Sequence, residues 1–179
     1  TKIKMLNPKF GVAPSYTFDL IIETDNNIDC RNSLDNNFEF DFMDTFTSTD
    51  GITHTITNFN KITDGDTRVH KLYVKCKDPR YGDTSKIFDL SVDTTPPDLI
   101  KHFAQPNPVV EVPSISTLTI ESSEPTICKY STTSQDFSTM EGKFQGFDDN
   151  TFKLINRQNI TLNGEGDFTY HVACQNKAE

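Results

Sequence analysis

The sequence predicts an all-β chain that contains two tandem β-sandwich domains. Three observations support this prediction. Residues 20–78 reappear as residues 118–176, shifted by 98 positions without a gap. Apolar and polar side chains alternate with a period of two, and no stretch of helical length shows a 3.6-residue period. The turns between these stretches are rich in Asn, Asp, Gly and Pro, which is typical of antiparallel sandwiches.

The repeat is anchored by its cysteines. Both cysteine pairs are separated by the same 46 positions, because Cys30 matches Cys128 and Cys76 matches Cys174. Further matches are Pro8/Pro106, Leu20/Leu118, Ile22/Ile120, Phe46/Phe144, Thr53/Thr151, Ile62/Ile160, Thr63/Thr161 and Val74/Val172. A repeat of domain length within 179 residues predicts two copies of one module, which we place at residues 1–94 and 95–179.

The first domain contains seven predicted strands, at about 2–6, 16–24, 28–33, 38–43, 52–58, 68–77 and 86–93. On the second of these, Phe18, Leu20, Ile22 and Thr24 share the inward face. Seven short strands suit an immunoglobulin-like or fibronectin-type-III-like sandwich. The turn Asp25-Asn26-Asn27 places Cys30 on the third strand. We therefore expect its disulfide to join neighbouring strands of one sheet, unlike the inter-sheet bond of antibody domains.

The four cysteines are interpreted as one disulfide per domain, Cys30–Cys76 and Cys128–Cys174. The spacing is too wide for a CxxC redox site or a zinc site. Oxidised pairs predict an extracellular or cell-surface location. Two buried free thiols per domain are the alternative.

The end of the second domain differs from that of the first. Tyr170, Val172 and Cys174 match the inward-facing Leu72, Val74 and Cys76. After Cys76 the first domain continues into a strand with Phe88, Leu90 and Val92 facing the core, whereas five residues follow Cys174. Near its start, Leu118, Ile120 and Ser122 are predicted to face inward and Thr117, Thr119 and Glu121 outward.

The second domain is therefore predicted to lack its last strand, which leaves an open edge at Phe168, Tyr170 and Val172. Two explanations remain: the chain is a segment of a longer repeat protein, or a neighbouring subunit donates a strand. The segment 93–98 contains two prolines, so we expect a short, stiff linker and a rod of strung domains.

Charge and composition exclude several functions. The net charge of −9 argues against nucleic acid and anionic membrane partners. No stretch approaches the roughly 20 apolar residues of a membrane span. The chain shows no signal peptide and begins with Thr1, so we interpret it as a mature chain or a piece of a longer one.

Two short elements of the second domain resemble a known repeat. Residues 128–131 form a C-K-Y-S element, and residues 170–176 form a Y-x-V-x-C-x-N element. Together with the linker 92–97 they resemble the tandem immunoglobulin-like or fibronectin-type-III-like repeats of long extracellular surface or filament proteins. The first domain departs from this pattern, with Arg31-Asn32-Ser33 in place of Lys-Tyr-Ser. The resemblance implies a structural or adhesive role outside the cell, and no catalytic residues.

Neither catalytic nor metal chemistry is predicted. His54, His70 and His171 match Phe152, Phe168 and Tyr73, so we interpret them as amphipathic aromatics, and His102 has no nearby His or Cys partner. Acidic clusters offer oxygen ligands for calcium at Asp64-Gly65-Asp66, Asp148-Asp149-Asn150, and Asp93 with Asp98, although solvated turns are favoured. The chain contains no GxSxG, P-loop or dinucleotide fingerprint, and we predict no enzyme activity and no cofactor.

The leading hypothesis is a structural module of an extracellular filament or cell-surface array, whose partner is itself or neighbouring repeats. A second is an adhesin or glycan-binding repeat, with Phe147 as the candidate exposed contact. A third is an accessory domain of a secreted enzyme. Asn159 begins the one glycosylation sequon and should point outward if Ile160 points inward.

Overall fold

The computed structural model describes residues 1–178, which form strands and two short 3-10 helices. The 3-10 helices are Phe40–Phe42 and Phe137–Thr139. The strands are β1 (Ile3–Asn7), β2 (Val12–Ala13), β3 (Phe18–Thr24), β4 (Asp29–Leu34), β5 (Asp44–Thr45), β6 (Thr53–Phe59), β7 (His70–Lys77), β8 (Thr84–Val92), β9 (Leu99–Gln105), β10 (Ser114–Ser131), β11 (Gly142–Lys143), β12 (Lys153–Leu162) and β13 (His171–Gln175). The all-β prediction is confirmed. The contacts divide the chain into two compact units, Thr1–Thr95 (unit one) and Pro96–Lys177 (unit two).

Unit one consists of two sheets. One has the order β1-β3-β6, and the other has the order β2-β8-β7-β4-β5. All pairs are antiparallel except β2 with β8, which is parallel. The predicted inward face of β3 is buried and its Asp19 and Glu23 are exposed. Because alternate residues of each strand face inward, both sheets contribute to one buried core.

The predicted strand at 38–43 is wrong, because its centre is the 3-10 helix Phe40–Phe42. The alternation of Phe38, Phe40 and Phe42 imitates a strand, but only Phe40 is buried. Two cations hold that ring, with the Arg31 guanidinium 4.6 Å and the Lys77 ammonium 4.4 Å from its centroid. Arg31 Nη1 also donates to the carbonyl oxygen of Phe40 at 3.3 Å. These local contacts stabilise a turn where the sequence pattern predicted a strand.

Unit two is organised around the 18-residue strand β10. The first half of β10 pairs with β9 and β12, and the second half pairs with β11 and β13. The register shifts between Glu121 and Thr126, where the strand passes from one sheet to the other. Ser122 Oγ and Thr126 Oγ1 lie 3.0 Å apart across this irregularity. The single strand β10 therefore belongs to both sheets of unit two, whereas in unit one the separate strands β3 and β4 occupy these places.

Thr119 was predicted to face solvent, and the structure corrects this, because only 7% of its surface is exposed. Thr119 lies opposite Phe103 on β9 and Arg157 on β12. Directly opposed residues of paired strands share a face, so two large side chains flank this small one. Leu118, predicted to face inward, is partly buried.

The core of unit two is small. Its buried cluster consists of Ile120, Cys128 and Phe144. Leu118, Tyr130, Val172 and Cys174 pack against this cluster but remain partly exposed. The strand β13 has partners on one side only among residues 1–178, so the groups that flank it lack the cover that β8 gives to unit one.

Candidate functional site

Both predicted disulfide bonds are present, and each joins neighbouring strands of one sheet. Cys30 lies directly opposite Cys76 in the β4–β7 pair, and Cys128 lies opposite Cys174 in the β10–β13 pair. The Cα–Cα distance is 4.1 Å in both bonds. This short distance is typical of the non-hydrogen-bonded positions of an antiparallel pair. The disulfides are compatible with an extracellular location.

The C-K-Y-S element has a structural role in unit two. Lys129 packs its ammonium 4.6 Å from the centroid of Phe137 and donates to the Phe137 carbonyl oxygen at 3.2 Å. Tyr130 makes edge-on contacts with Phe144 and Tyr170, with centroids 5.7 and 6.1 Å apart. Each side chain of the element therefore contacts a loop or strand that flanks β13 or β11.

Ser131, the last residue of the element, fixes the turn that follows β10. Its Oγ accepts hydrogen bonds from the backbone N–H groups of Thr133 and Ser134, both at 3.1 Å. The same Oγ donates to Glu141 at 3.2 Å. A serine at this place stabilises the turn because its hydroxyl can accept and donate at once.

The candidate functional site is the edge of β13. In unit one the matching strand β7 lies between β4 and β8, and it is eight residues long. In unit two β13 is five residues long and pairs only with β10 within residues 1–178. Phe168 and Tyr170, which match strand residues of β7, lie before β13 in irregular backbone. The exposed fraction of Phe168 is 47%, while Tyr170 and Val172 are partly buried.

Two grooves adjoin this edge, and the larger one is mainly apolar. The larger, ≈ 420 Å³, lies between β9 and β13 and is lined by Leu99, His102, Phe103, Leu118, Ile120, Tyr170, His171 and Val172. The smaller, ≈ 270 Å³, continues past Phe168 toward Ile160, Leu162 and Pro106. Leu118 and Tyr170 line both grooves, which therefore adjoin each other. We call the two grooves together the edge groove.

Tyr170 separates the two parts of the edge groove. Burial raises the pKa of its phenol, and the nearby Tyr130 raises it further. Its ring stacks edge-on against Tyr130, which is anchored on β10. The larger part of the groove is lined mainly by apolar side chains together with His102 and His171, and Asp167 lines the smaller part.

The segment beside the groove on the β9 side is also uncovered. In unit one the matching residues Val12 and Ala13 pair in parallel with β8, and Ala13 is fully buried. In unit two Val110 and Glu111 occupy these positions and belong to no strand. The exposed fraction of Val110 is 94%. Within residues 1–178, neither β13 nor the segment of Val110 and Glu111 pairs with a strand at the place that β8 occupies in unit one.

The histidines divide into two groups. His102 is exposed and His171 is partly buried at the groove. His54 is only 2% exposed, its Nε2 lies 3.3 Å from Thr24 Oγ1, and its ring packs edge-on against Phe46. Burial lowers the pKa of His54, which favours the neutral ring in the core.

His70 forms a cluster with two carboxylates that sequence reasoning missed. Its Nδ1 lies 2.6 Å from Asp35 Oδ2, and its Nε2 lies 3.4 Å from Asp66 Oδ2. Partial burial raises the pKa of Asp35, but the hydrogen bonds from His70 and the Lys71 N–H outweigh it and leave this pKa below its usual value. Hydrogen bonds from Arg68 hold the pKa of Asp66 well below its usual value. No motif or spacing in the sequence links His70 with Asp35.

The acidic clusters proposed for calcium form turn hydrogen bonds. Asp66 binds Arg68, and Asp148 accepts from the N–H of Asn150 at 2.9 Å. Asp98 pairs through its backbone with Ser123. Within residues 1–178, no three His, Cys, Asp or Glu side chains are grouped so that they could hold a metal ion.

The remaining predicted positions lie on the surface of unit two. Asn159 is exposed beside the buried Ile160, and its Oδ1 accepts from Thr117 Oγ1 at 2.8 Å. Phe147 is only partly exposed, with the Lys143 ammonium 4.9 Å from its centroid, so it offers less surface than expected. Glycosylation of Asn159 and ligand binding at Phe147 remain predictions.

No protein-family model matches the chain, and no curated protein matches it with significance. Among solved structures, the chain is similar to a chimeric titin Z1Z2 functionalized with a KLER exogenous peptide from decorin. That match has a TM-score of 0.35 and 14% identity over 92% of this chain and 83% of that chain, too weak to carry an argument. Among the described residues, no helix has the length and apolar character to cross a membrane.

Proposed function

We propose that the chain is a non-enzymatic structural module of an extracellular filament or cell-surface array. It consists of two tandem immunoglobulin-like sandwich domains joined by a short Pro-rich linker, and it associates with its neighbours end to end. The observation that carries this proposal is the edge groove of unit two beside an otherwise sandwich-like pair of sheets. An uncovered strand edge with apolar side chains beside it favours pairing with another strand.

Three further observations support this role. One disulfide in each unit pins two neighbouring strands, which suits a protein exposed to an oxidising environment. The net charge of −9 keeps such a chain soluble outside its intended contacts. The buried histidines His54 and His70 take part in packing and hydrogen bonding in unit one.

Electron microscopy of the intact mature protein at high concentration tests the proposal. We expect filaments or lateral arrays with a regular repeat, and light scattering should show mass growing with concentration. A matched sample of the protein with Phe168→Lys in the edge groove should assemble less. Intact mature protein that stays monomeric at high concentration, with no filament in the micrographs, contradicts the proposal.

The adhesin and accessory-domain hypotheses receive no specific support. Sandwich loops commonly carry recognition, but Phe147, the aromatic proposed for it, is partly covered by Lys143. The grooves of unit two adjoin a strand edge. At such an edge, backbone hydrogen bonds to an added strand contribute more affinity than side-chain contacts with a glycan would.

A further inference from the structure

We infer that Asn159 carries an N-linked glycan that covers the outer face of the sheet formed by β9, β10 and β12. The inference rests on the extracellular location in the proposed function and not on end-to-end assembly. Residues 159–161 read Asn-Ile-Thr, and the triplet Asn-X-Thr is the acceptor for N-linked glycans on the surface of secreted proteins. The fold determines how this triplet is presented and what a glycan attached to it would cover.

The strand β12 presents both functional side chains of the triplet to solvent. Asn159 and Thr161 are exposed and alternate with the buried Ile160, so they lie on the same face of the sheet. Within residues 1–178, β10 is the one strand that pairs with β12, which therefore lies at the edge of its sheet. The Asn159 Oδ1 accepts a hydrogen bond from Thr117 Oγ1 at 2.8 Å. This contact engages the amide oxygen and not Nδ2, the atom to which a sugar is bonded.

The face that contains Asn159 also carries exposed apolar side chains. Alternate residues of a strand share a face, and so do directly opposed residues of paired strands. By these rules Phe103 on β9, Ile115 on β10 and Ile155 on β12 lie on the same face as Asn159. Their exposed fractions are 48%, 58% and 41%. From the spacing of strands and residues in a sheet, their Cα atoms lie within roughly 13 Å of that of Asn159. The acceptor therefore stands among the apolar side chains of this face.

The matching face of unit one is charged and has no sequon. Lys61, which is exposed, stands at the position of Asn159. The outer face of the β1-β3-β6 sheet carries the exposed Lys4, Asp19 and Glu23. Among the described residues of β1, β3 and β6, no large apolar side chain is exposed. Charged side chains hydrate this face in the first copy, whereas the second copy has exposed apolar side chains and the acceptor for a hydrophilic group.

Attachment of the glycan is a group transfer whose donor is a lipid-linked oligosaccharide diphosphate. The bond between the first sugar's C1 and the diphosphate oxygen breaks, and C1 forms a bond to Asn159 Nδ2. Nδ2 loses one proton, and the lipid diphosphate leaves. Sugar rings have apolar C–H faces, which pack on Phe103 and the isoleucines while the hydroxyl groups stay in water. Exposed apolar patches are otherwise sites of protein contact, and a bulky group fixed among these side chains excludes such a contact.

Mass spectrometry of the mature protein from its natural source tests the attachment. The peptide that contains Asn159 should carry the masses of added sugars, and fragmentation should assign them to Asn159; an unmodified peptide overturns the inference.

Variants secreted by a host that glycosylates asparagine test the acceptor itself. Asn159→Gln and Thr161→Val should lose the sugars, whereas Thr161→Ser should keep them because it preserves the hydroxyl of the triplet. Asn163→Gln is the matched control, since Asn163 is exposed but begins no sequon. Sugars that persist in Asn159→Gln overturn the assignment.

Hydroxyl-radical labelling of surface side chains tests the cover. The glycosylated protein is compared with the unglycosylated Thr161→Val variant, whose hydrogen exchange in β10 should match and so show an intact fold. Labelling of Phe103 and Ile155 should be about twofold or more lower in the glycosylated protein, because a bulky group shields them. Phe42, an exposed ring of unit one, is the internal control and should label equally in both. Equal labelling of Phe103 and Ile155 in the two samples overturns the cover.

Light scattering separates this inference from the proposed function. Unglycosylated Thr161→Val protein should self-associate more than the glycosylated protein, and adding Phe103→Lys should reverse the increase, while adding Phe42→Lys should not. Scattering that is unchanged by loss of the glycan contradicts the cover. A glycosylated protein that stays monomeric would remove the filament role and leave the glycan in place. Filaments built from mature protein without sugar at Asn159 would support that role and overturn the inference.

Discussion

Removing one disulfide at a time should separate the stabilities of the two units. We compare the double variants Cys30→Ala/Cys76→Ala and Cys128→Ala/Cys174→Ala. The two bonds have the same sequence separation of 46. In the loop-entropy model each therefore stabilises its unit by about 4 kcal/mol, by restricting the unfolded chain. The loop-entropy effect on the unfolded chain is the same for both bonds, so any difference in stability between the two variants reflects a difference between the cores of the two units.

The cores are unequal. The buried cluster of unit two is Ile120, Cys128 and Phe144, so one of its three members is the bonded cysteine itself. Unit one buries side chains from both sheets, including Leu20, Ile22, Leu72, Val74 and Leu90. At about 0.05–0.15 kcal/mol per residue, a unit of roughly 80 to 95 residues has a free energy of unfolding of about 4–14 kcal/mol. The small core places unit two near the lower bound, where a loss of about 4 kcal/mol unfolds it.

Hydrogen exchange of peptic fragments distinguishes the units. In the Cys128→Ala/Cys174→Ala variant we expect fragments of β10 and β12 to lose protection while fragments of β3 and β7 keep theirs. In the Cys30→Ala/Cys76→Ala variant we expect unit one to stay folded with a lower urea midpoint. The reasoning is refuted if unit two keeps its protection without its disulfide, or if unit one unfolds first.

Three further predictions concern unit one. Gly11 has φ +75°, and an added Cβ would overlap the Asp89 carbonyl oxygen, whereas Gly65 has φ +81° and open space around it. In urea unfolding Gly65→Ala should therefore lower the free energy of unfolding by about 1 kcal/mol, and Gly11→Ala should lower it clearly more. Equal losses would contradict the close contact at Gly11. Because the pKa of His54 is lowered in the folded state, the unfolded chain binds a proton at His54 at higher pH than the folded chain does. The free energy of unfolding should therefore fall as pH drops below 6.5, by up to about 1.4 kcal/mol per pH unit. His54→Phe should remove this slope, and an unchanged slope would refute the prediction. The pKa of Asp35 is lowered in the folded state, so the ionised carboxylate stabilises the fold above the unfolded-state pKa of 3.8, and this stability is lost as pH falls through the folded-state pKa. Asp35→Asn should therefore flatten the acid side of the plot of unfolding free energy against pH. A plot identical to that of the parent protein would count against the His70 contact.

The sequence predicted what depends on period and spacing. Alternation placed Leu20 and Ile22 inward, and the repeat of 98 positions paired each cysteine with its bonded partner. The turn Asp25-Asn26-Asn27 put Cys30 on the strand beside that of Cys76, which gave the adjacent-strand bond. These features are local, or they are fixed by the match between the two copies.

What the sequence did not predict depends on contacts between distant residues. Aromatic and acidic residues alternate in the segment 38–43 as they would in a strand. Arg31 and Lys77, which lie outside this segment, contact the Phe40 ring and stabilise a 3-10 helix instead. The pairing of His70 with Asp35 joins the first residue of β7 to the residue after β4, and alternation alone does not predict this contact. In unit two Pro125 stands in the irregular part of β10, where a proline is tolerated because the ladder is interrupted there.

The differences between the two copies also limit how a strand can bind unit two. In unit one the carbonyl oxygens of Gly11 and Ala13 accept hydrogen bonds from the N–H groups of Ser91 and Asp93, and the missing side chain of Gly11 permits this close approach. Val109 stands at the position of Gly11 in unit two. Val109 is not among the residues with positive φ, so the backbone of this segment differs from that of unit one, where Val12 and Ala13 pair with β8. A strand that binds unit two is therefore held mainly by β13 and by its side chains in the edge groove, so its affinity should depend on those side chains more strongly than the stability of unit one depends on those of β8.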